Sequence, residues 1–265
     1  MNTLPSNTCD SASAPSSRLV ITSICMNRNA FLRVAVEKWL PFGVPIVVVD
    51  WSSTEPVRET LRHFLDRVTV VEIPGKPYFD LSKSKNACWR AAKRLHPDLT
   101  HILNFDCDVH AHEPARFLKR YPLTANSFYS GGVHMRRVPV ENATGDELRR
   151  LKEIHRNRWA TYGTFLAPFA LLEAVNMNDE RMEGYGMFDV DLYQRLQAHG
   201  ALWHRIRFYD LFHQFHEDRT AHYAEKDLDA SMAKNKEIMQ APARWSHAFE
   251  PERQQAWIDG ECILL

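Results

Sequence analysis

Apolar residues in this chain follow two alternating rhythms. Leu19 to Met26 is an apolar, β-branched run, and Phe31 to Leu40 then shows helical spacing until Pro41 stops it. Val44 to Asp50 is nearly continuously apolar and ends in an acid, Glu55 to Asp66 reads as a helix, and Val68 to Ile73 reads as a third strand. Leu81 to Leu95 is the next helix, and Thr100 to Phe105 is an apolar strand running into Asp106-Cys107-Asp108. Such alternation predicts an α/β fold with a parallel, doubly wound sheet. The second half is less regular. Strands are expected at Ser127 to Met135, Tyr162 to Leu166 and His204 to Tyr209, and helices at Gly145 to Asn157, Asp189 to His199 and Glu225 to Met239.

With 45% hydrophobic residues, a chain of 265 suits one large domain, expected over residues 18–265, better than two. Residues 1–17 are rich in Ser, Asn, Ala and Pro and lack the basic start and apolar run of a secretory signal, so they read as a disordered tail. No run of about 18 apolar residues occurs, so no membrane span is expected and a lipid acceptor would be met peripherally. Lys+Arg and Asp+Glu both total 33, which advertises no nucleic-acid partner and points to a small or medium-sized molecule. Five cysteines without a CxxC pair fit reduced thiols, and hence a cytoplasmic location.

In parallel sheets, ligands collect beyond the carboxyl ends of the strands. Two of these ends carry acids. In Asp106-Cys107-Asp108 an extended backbone turns both carboxylates to one side, where hard oxygen ligands can share Mg²⁺ or Mn²⁺ with a diphosphate. Asp50-Trp51-Ser52-Ser53-Thr54 offers acceptors to a nucleoside, or merely caps the next helix. Lys83-Ser84-Lys85-Asn86 opens a helix whose free N–H groups and cations could face a diphosphate, or could line a solvated face. Gly184-Tyr185-Gly186 permits a close turn before Asp189 and Asp191, which are also natural acids for a first helical turn. His213 and His216 stand three apart, with His222 beyond, and neutral imidazole is a common metal ligand.

Taken in order, "VVVDWSST", "SKSKNACWRAA", "NFDCDVH", "GYGMFDVDLYQRL" and "LFHQFHED" resemble the inverting GT-A glycosyltransferases. The likeness runs to the bacterial family two enzymes, the chondroitin-polymerase type domains and the β-1,4-galactosyltransferases, over about residues 19 to 240. It implies a GT-A fold with a mostly parallel mixed sheet, and metal-dependent, inverting transfer of a sugar from a UDP-sugar to an acceptor hydroxyl of a glycan or glycoconjugate. It further implies that Asp50, Ser52, Lys85, Asn86, Asp106 and Gly186 bind the nucleotide sugar. Asp108, His216 and His213 would hold Mn²⁺ or Mg²⁺, and Asp189 would be the catalytic base. Phe188 departs from the family, which commonly has an acid there that helps bind the acceptor. Two other readings use the same residues: a metal-dependent hydrolase built on Asp106, Asp108, His213, His216 and His222, and a nucleotide-sugar binding module without transfer.

Overall fold

The computed structural model describes residues 18–131, 134–135, 163–207, 210–214, 216, 222–241 and 253–265. The expected tail at 1–17 and helix at 145–157 lie outside them. The first half alternates as β1 (Arg18–Cys25), α1 (Asn29–Trp39), β2 (Ile46–Asp50), α2 (Val57–Thr60), β3 (Val68–Glu72), α3 (Leu81–Leu95) and β4 (Leu99–Asn104). There follow β5 (Val109–Ala111), α4 (Pro114–Arg120), β6 (Ser127–Ser130), β7 (His134–Met135), β8 (Phe165–Pro168), α5 (Phe169–Ala174) and α6 (Phe188–Ala198). The last elements are β9 (Leu202–Arg205), β10 (Leu211–His213), α7 (Leu228–Gln240), β11 (Gln255–Ile258) and β12 (Glu261–Leu264).

A nine-stranded sheet runs β12-β11-β3-β2-β1-β4-β8-β6-β9. Its centre, β3-β2-β1-β4, is parallel, while β8 lies antiparallel between β4 and β6. The centre is covered on both faces, which is why β2 is buried at every position. Val47 and Val49 pack into a cluster with Trp89 of α3, and Ile46 and Val48 pack into the opposite cluster with Trp39 of α1. Helix α3 begins where Asp80 accepts a hydrogen bond from the Lys83 backbone N–H at 2.9 Å. Among the described residues no helix is long and apolar enough to cross a membrane.

A second sheet of three strands, β5-β10-β7, stands beside the first. The single strand expected over Ser127 to Met135 is therefore two, each in a different sheet. Gly131, at φ +97, lies between them, and that left-handed backbone is one that a residue with a Cβ rarely adopts. The small sheet matters for function because it carries the late histidines to the first sheet's carboxyl edge.

Candidate active site

Strand register sets the floor of the site. Cys25 pairs with Asp50 across β1 and β2, and Thr22 pairs with Asn104 across β1 and β4. The chain therefore leaves three adjacent parallel strands at one edge, with Arg28, the Asp50 turn and Asp106–Asp108 just beyond. Asn104 anchors that edge: its Oδ1 accepts from Thr22 Oγ1 and Trp89 Nε1, and its Nδ2 donates to the Gly163 carbonyl. Gly163 has to be glycine, since a Cβ there would lie 2.2 Å from Asp106 Oδ2.

Strand β10 runs antiparallel to β5 with His213 opposite Val109, and the Gln214 N–H donates to the Asp108 carbonyl at 2.8 Å. This pairing brings sequence-distant groups together. Asp108, His213 and His216 each offer a ligand atom, all within 4.8 Å of one another, and they form the one such group among the described residues. His213 Nε2 is 3.5 Å from Asp108 Oδ1, and His216 Nε2 is 3.0 Å from Asp108 Oδ2. His213 Nδ1 lies 2.6 Å from the Gln214 carbonyl, which places a proton on Nδ1 and, in the neutral ring, leaves the Nε2 lone pair facing Asp108. One carboxylate and two imidazoles thus converge as acceptors, a donor set that fits Mn²⁺ better than the all-oxygen preference of Mg²⁺. Burial pulls the Asp108 carboxyl upward, yet without metal the cationic forms of His213 and His216, together with Arg28, outweigh it and hold the carboxyl well below the usual range.

Asp106 is outside that group. Burial raises its carboxyl, Lys85 draws it down, and Asp108 raises it again. Lys85 Nζ lies 3.1 Å from Asp189 Oδ1 and 4.9 Å from the Phe188 ring centroid, with its side chain only 1% exposed. The position where the family commonly has an acid is therefore an aromatic floor under this ammonium. Burial, aided by Asp106 and opposed by Lys85, pushes the Asp189 carboxyl up to about 6. Asp189 stands in the first turn of α6, where a carboxylate also complements the helix dipole, while the N-cap position is Met187. Asp191 is also not a cap; it is buried and pairs with Arg195 at 2.6 Å.

Several of the residues expected to contact the donor also have structural duties. Both Asp50 oxygens accept backbone N–H groups, from Ser53 at 2.8 Å and Val57 at 2.9 Å. Ser52 Oγ donates to the Ile73 carbonyl and accepts from the Lys76 N–H, tying the ends of β2 and β3 together. The Asn86 side chain is fully buried, clamping the Asn178 backbone through both its amide atoms and also donating to Glu180 Oε1. That commitment holds the start of α3 to the segment at Asn178 and Glu180. Lys85 meets the carboxylate of Asp189 from near the start of α3. Gly186, at φ +87, is pressed on α7, where a Cβ would lie 2.4 Å from Met232 Cγ. The expected turn is there, and its close neighbour is that helix.

Three site residues escaped the sequence reading. Arg28 contacts both Asp108 and His216, and its position at the end of β1 was the available signal. Tyr223 is buried, and that burial pushes its phenol well above its ordinary range, with Arg28 drawing it down and Asp106 and Asp108 raising it further. Asn235 holds the glycine segment, accepting from the Glu183 N–H and donating to the Glu183 and Gly186 carbonyls. It shares the buried i, i+4, i+8 stripe of α7 with Ser231 and Met239.

Neither a protein family nor a curated protein matches the chain by sequence. Solved structures do. The catalytic domain of Drosophila β1,4-galactosyltransferase 7 in complex with xylobiose matches with a TM-score of 0.53 at 15% identity, over 93% of this chain and 91% of that one. A mutant of the same enzyme complexed with manganese, UDP-Gal and xylobiose gives 0.54 at 13% identity, over 93% and 92%. TarS of S. aureus, residues 1–349, gives 0.52 at 12% identity, over 74% of this chain and 60% of that one. Identities this low speak to architecture alone, and they agree with the parallel centre and its loaded carboxyl edge: the chain has the GT-A fold found in inverting glycosyltransferases.

Proposed function

We propose that the chain is a metal-dependent, inverting glycosyltransferase that moves a sugar from a UDP-sugar to an acceptor hydroxyl in glycan or glycoconjugate synthesis. The observation that carries this reading is the convergence of Asp108, His213 and His216 within 4.8 Å at the carboxyl edge of a GT-A sheet. Manganese and UDP-Gal in the complex of a structural neighbour support the choice of metal and donor. When bound, the metal neutralises charge on the departing diphosphate.

The chain's own residues supply the rest. Asp189, in its carboxylate form, accepts the acceptor's hydroxyl proton as that oxygen bonds to the anomeric carbon. The bond from that carbon to the diphosphate breaks on the opposite face, and a single displacement of this kind inverts the centre. Lys85 orients Asp189 and, by opposing the effect of burial, keeps it deprotonated at neutral pH. Gly186 and Asn235 fix the segment that delivers Asp189. Asp50 and Ser52 shape the turn where the nucleoside would lie.

Titration calorimetry of UDP with Mn²⁺ tests the donor half. Wild type binds UDP only with metal, and Asp108→Asn loses that metal-dependent binding. Unchanged UDP affinity in Asp108→Asn would remove the metal assignment. Turnover of a phosphoester without any acceptor would instead favour the hydrolase.

A further inference from the structure

Arg28 stands in the turn between β1 and α1. Its Nη1 lies 2.7 Å from Asp108 Oδ2 and 2.7 Å from His216 Nε2. Those two acceptors are themselves 3.0 Å apart, so one nitrogen sits at the apex of a nearly equilateral triangle. A guanidinium carries donors only, so in the neutral His216 that is able to ligate a metal, Nε2 is the acceptor of this contact and the proton is on Nδ1. An imidazole nitrogen has one in-plane lone pair. While that pair takes an N–H from Arg28, it cannot ligate an ion.

We propose that Arg28 is the resident cation of the Asp108, His213 and His216 site, and that a divalent metal binds only in exchange for it. This rests on the metal-site reading above. Charge supports mutual exclusion: a divalent ion beside the guanidinium would set three positive charges against the carboxylates of Asp108 and neighbouring Asp106. Local structure supports movement of the side chain alone. The neighbouring residues are pinned, Asn27 N–H to Ser53 Oγ at 3.0 Å and Asn29 Nδ2 to the Glu55 carbonyl at 2.8 Å. The Arg28 side chain keeps 20% of its surface exposed, against 5% for Asp108, so it has a solvent side toward which to withdraw. Metal affinity is thereby weaker than the three ligands alone would give. The exchange also keeps Asp108 compensated whenever metal is absent.

The test is calorimetry of MnCl₂ alone, without nucleotide, on the full chain as wild type, Arg28→Met, Arg28→Lys and Arg28→Met with Asp108→Asn. Arg28→Met binds one Mn²⁺ about 10- to 100-fold more tightly than wild type, the range expected for releasing hydrogen bonds to charged groups. Arg28→Lys falls between them, and adding Asp108→Asn abolishes binding. Near-ultraviolet circular dichroism checks that each variant is folded, and Arg28→Lys alone, tighter than wild type, carries the test if Arg28→Met is not. Equal or weaker binding by the Arg28 variants while wild type binds overturns the exchange and leaves the metal site standing. No Mn²⁺ binding by any form overturns both.

Discussion

Asp189 and Asp191 stand two residues apart at the start of α6 and do unlike work. Asp189 faces Lys85 and Asp106, and its carboxyl is pushed up to about 6 chiefly by burial. A base acts deprotonated, so the transfer rate at saturating donor, acceptor and metal falls as pH drops through about 6. Asp189→Asn keeps UDP affinity and loses roughly 10²–10⁴-fold in rate, the usual worth of a positioned proton acceptor. Lys85→Met removes the charge that holds the proton off, which moves the acid limb of the profile to higher pH. A limb that stays in place in Lys85→Met would show that this pair does not set the base. Asp191 is no mild control for these experiments. It is fully buried against Arg195, and Asp191→Asn breaks a buried pair, a loss of about 3–5 kcal/mol in unfolding measurements.

Between residue and fold, α7 decides whether the Asp189 segment is delivered in place. Asn235 contacts the backbone of residues 183, 185 and 186, and Ser231 Oγ accepts from the Tyr185 N–H at 2.8 Å. Asn235→Ala removes these part-buried hydrogen bonds, at about 0.5–1.5 kcal/mol each. Transfer rate should then fall with Mn²⁺ affinity unchanged, because no metal ligand lies on α7, and parallel loss of both in kinetics and calorimetry would refute the division. How legible each element was follows from what surrounds it. Helix α3 was readable to its ends because Asp80 caps it and its apolar residues form one face against the sheet. The helix read over Glu55 to Asp66 shrinks to Val57–Thr60 and a 3₁₀ turn at Arg62–Phe64, because Leu61 leaves the helical region with ψ 9. The strand read over His204 to Tyr209 overlaps β9 at 204–205, with 208–209 outside the described residues; β9 is an edge strand exposed at all four positions, so no apolar alternation marks where it begins. The hairpin of β11 and β12 went unread although Asp259-Gly260, both at positive φ, is a strong turn signal. At the site, acids at strand ends were legible because a parallel sheet gathers them. The partners of Lys85 and Asn86 were not, because their contacts lie 104 and 92 residues away along the chain.

Across the whole molecule, the proposed site is an assembly of segments that only the folded chain brings together. Asp108 follows β4, His213 ends a strand of the second sheet, and Arg28 precedes α1, so the ligand group joins the two sheets and the first helix. The unfolded chain cannot reproduce that arrangement. A ligand that binds only the assembled form therefore stabilises the fold by mass action, by about 2.7 kcal/mol at a free concentration 100 times its Kd. For a chain of this size each kcal/mol raises Tm by roughly 2–4 °C, so Mn²⁺ with UDP at that level should raise Tm by about 5–10 °C. Mn²⁺ alone should give less, because nothing then bridges the metal to the Asp50 turn. Asp108→Asn should melt without any response to Mn²⁺, while Asp189→Asn should respond as wild type does, since Asp189 lies outside the ligand group. Differential scanning calorimetry of the three forms, with and without Mn²⁺ and UDP, makes the comparison. An equal response in Asp108→Asn would mean that the ligands bind somewhere other than the edge where the two sheets meet.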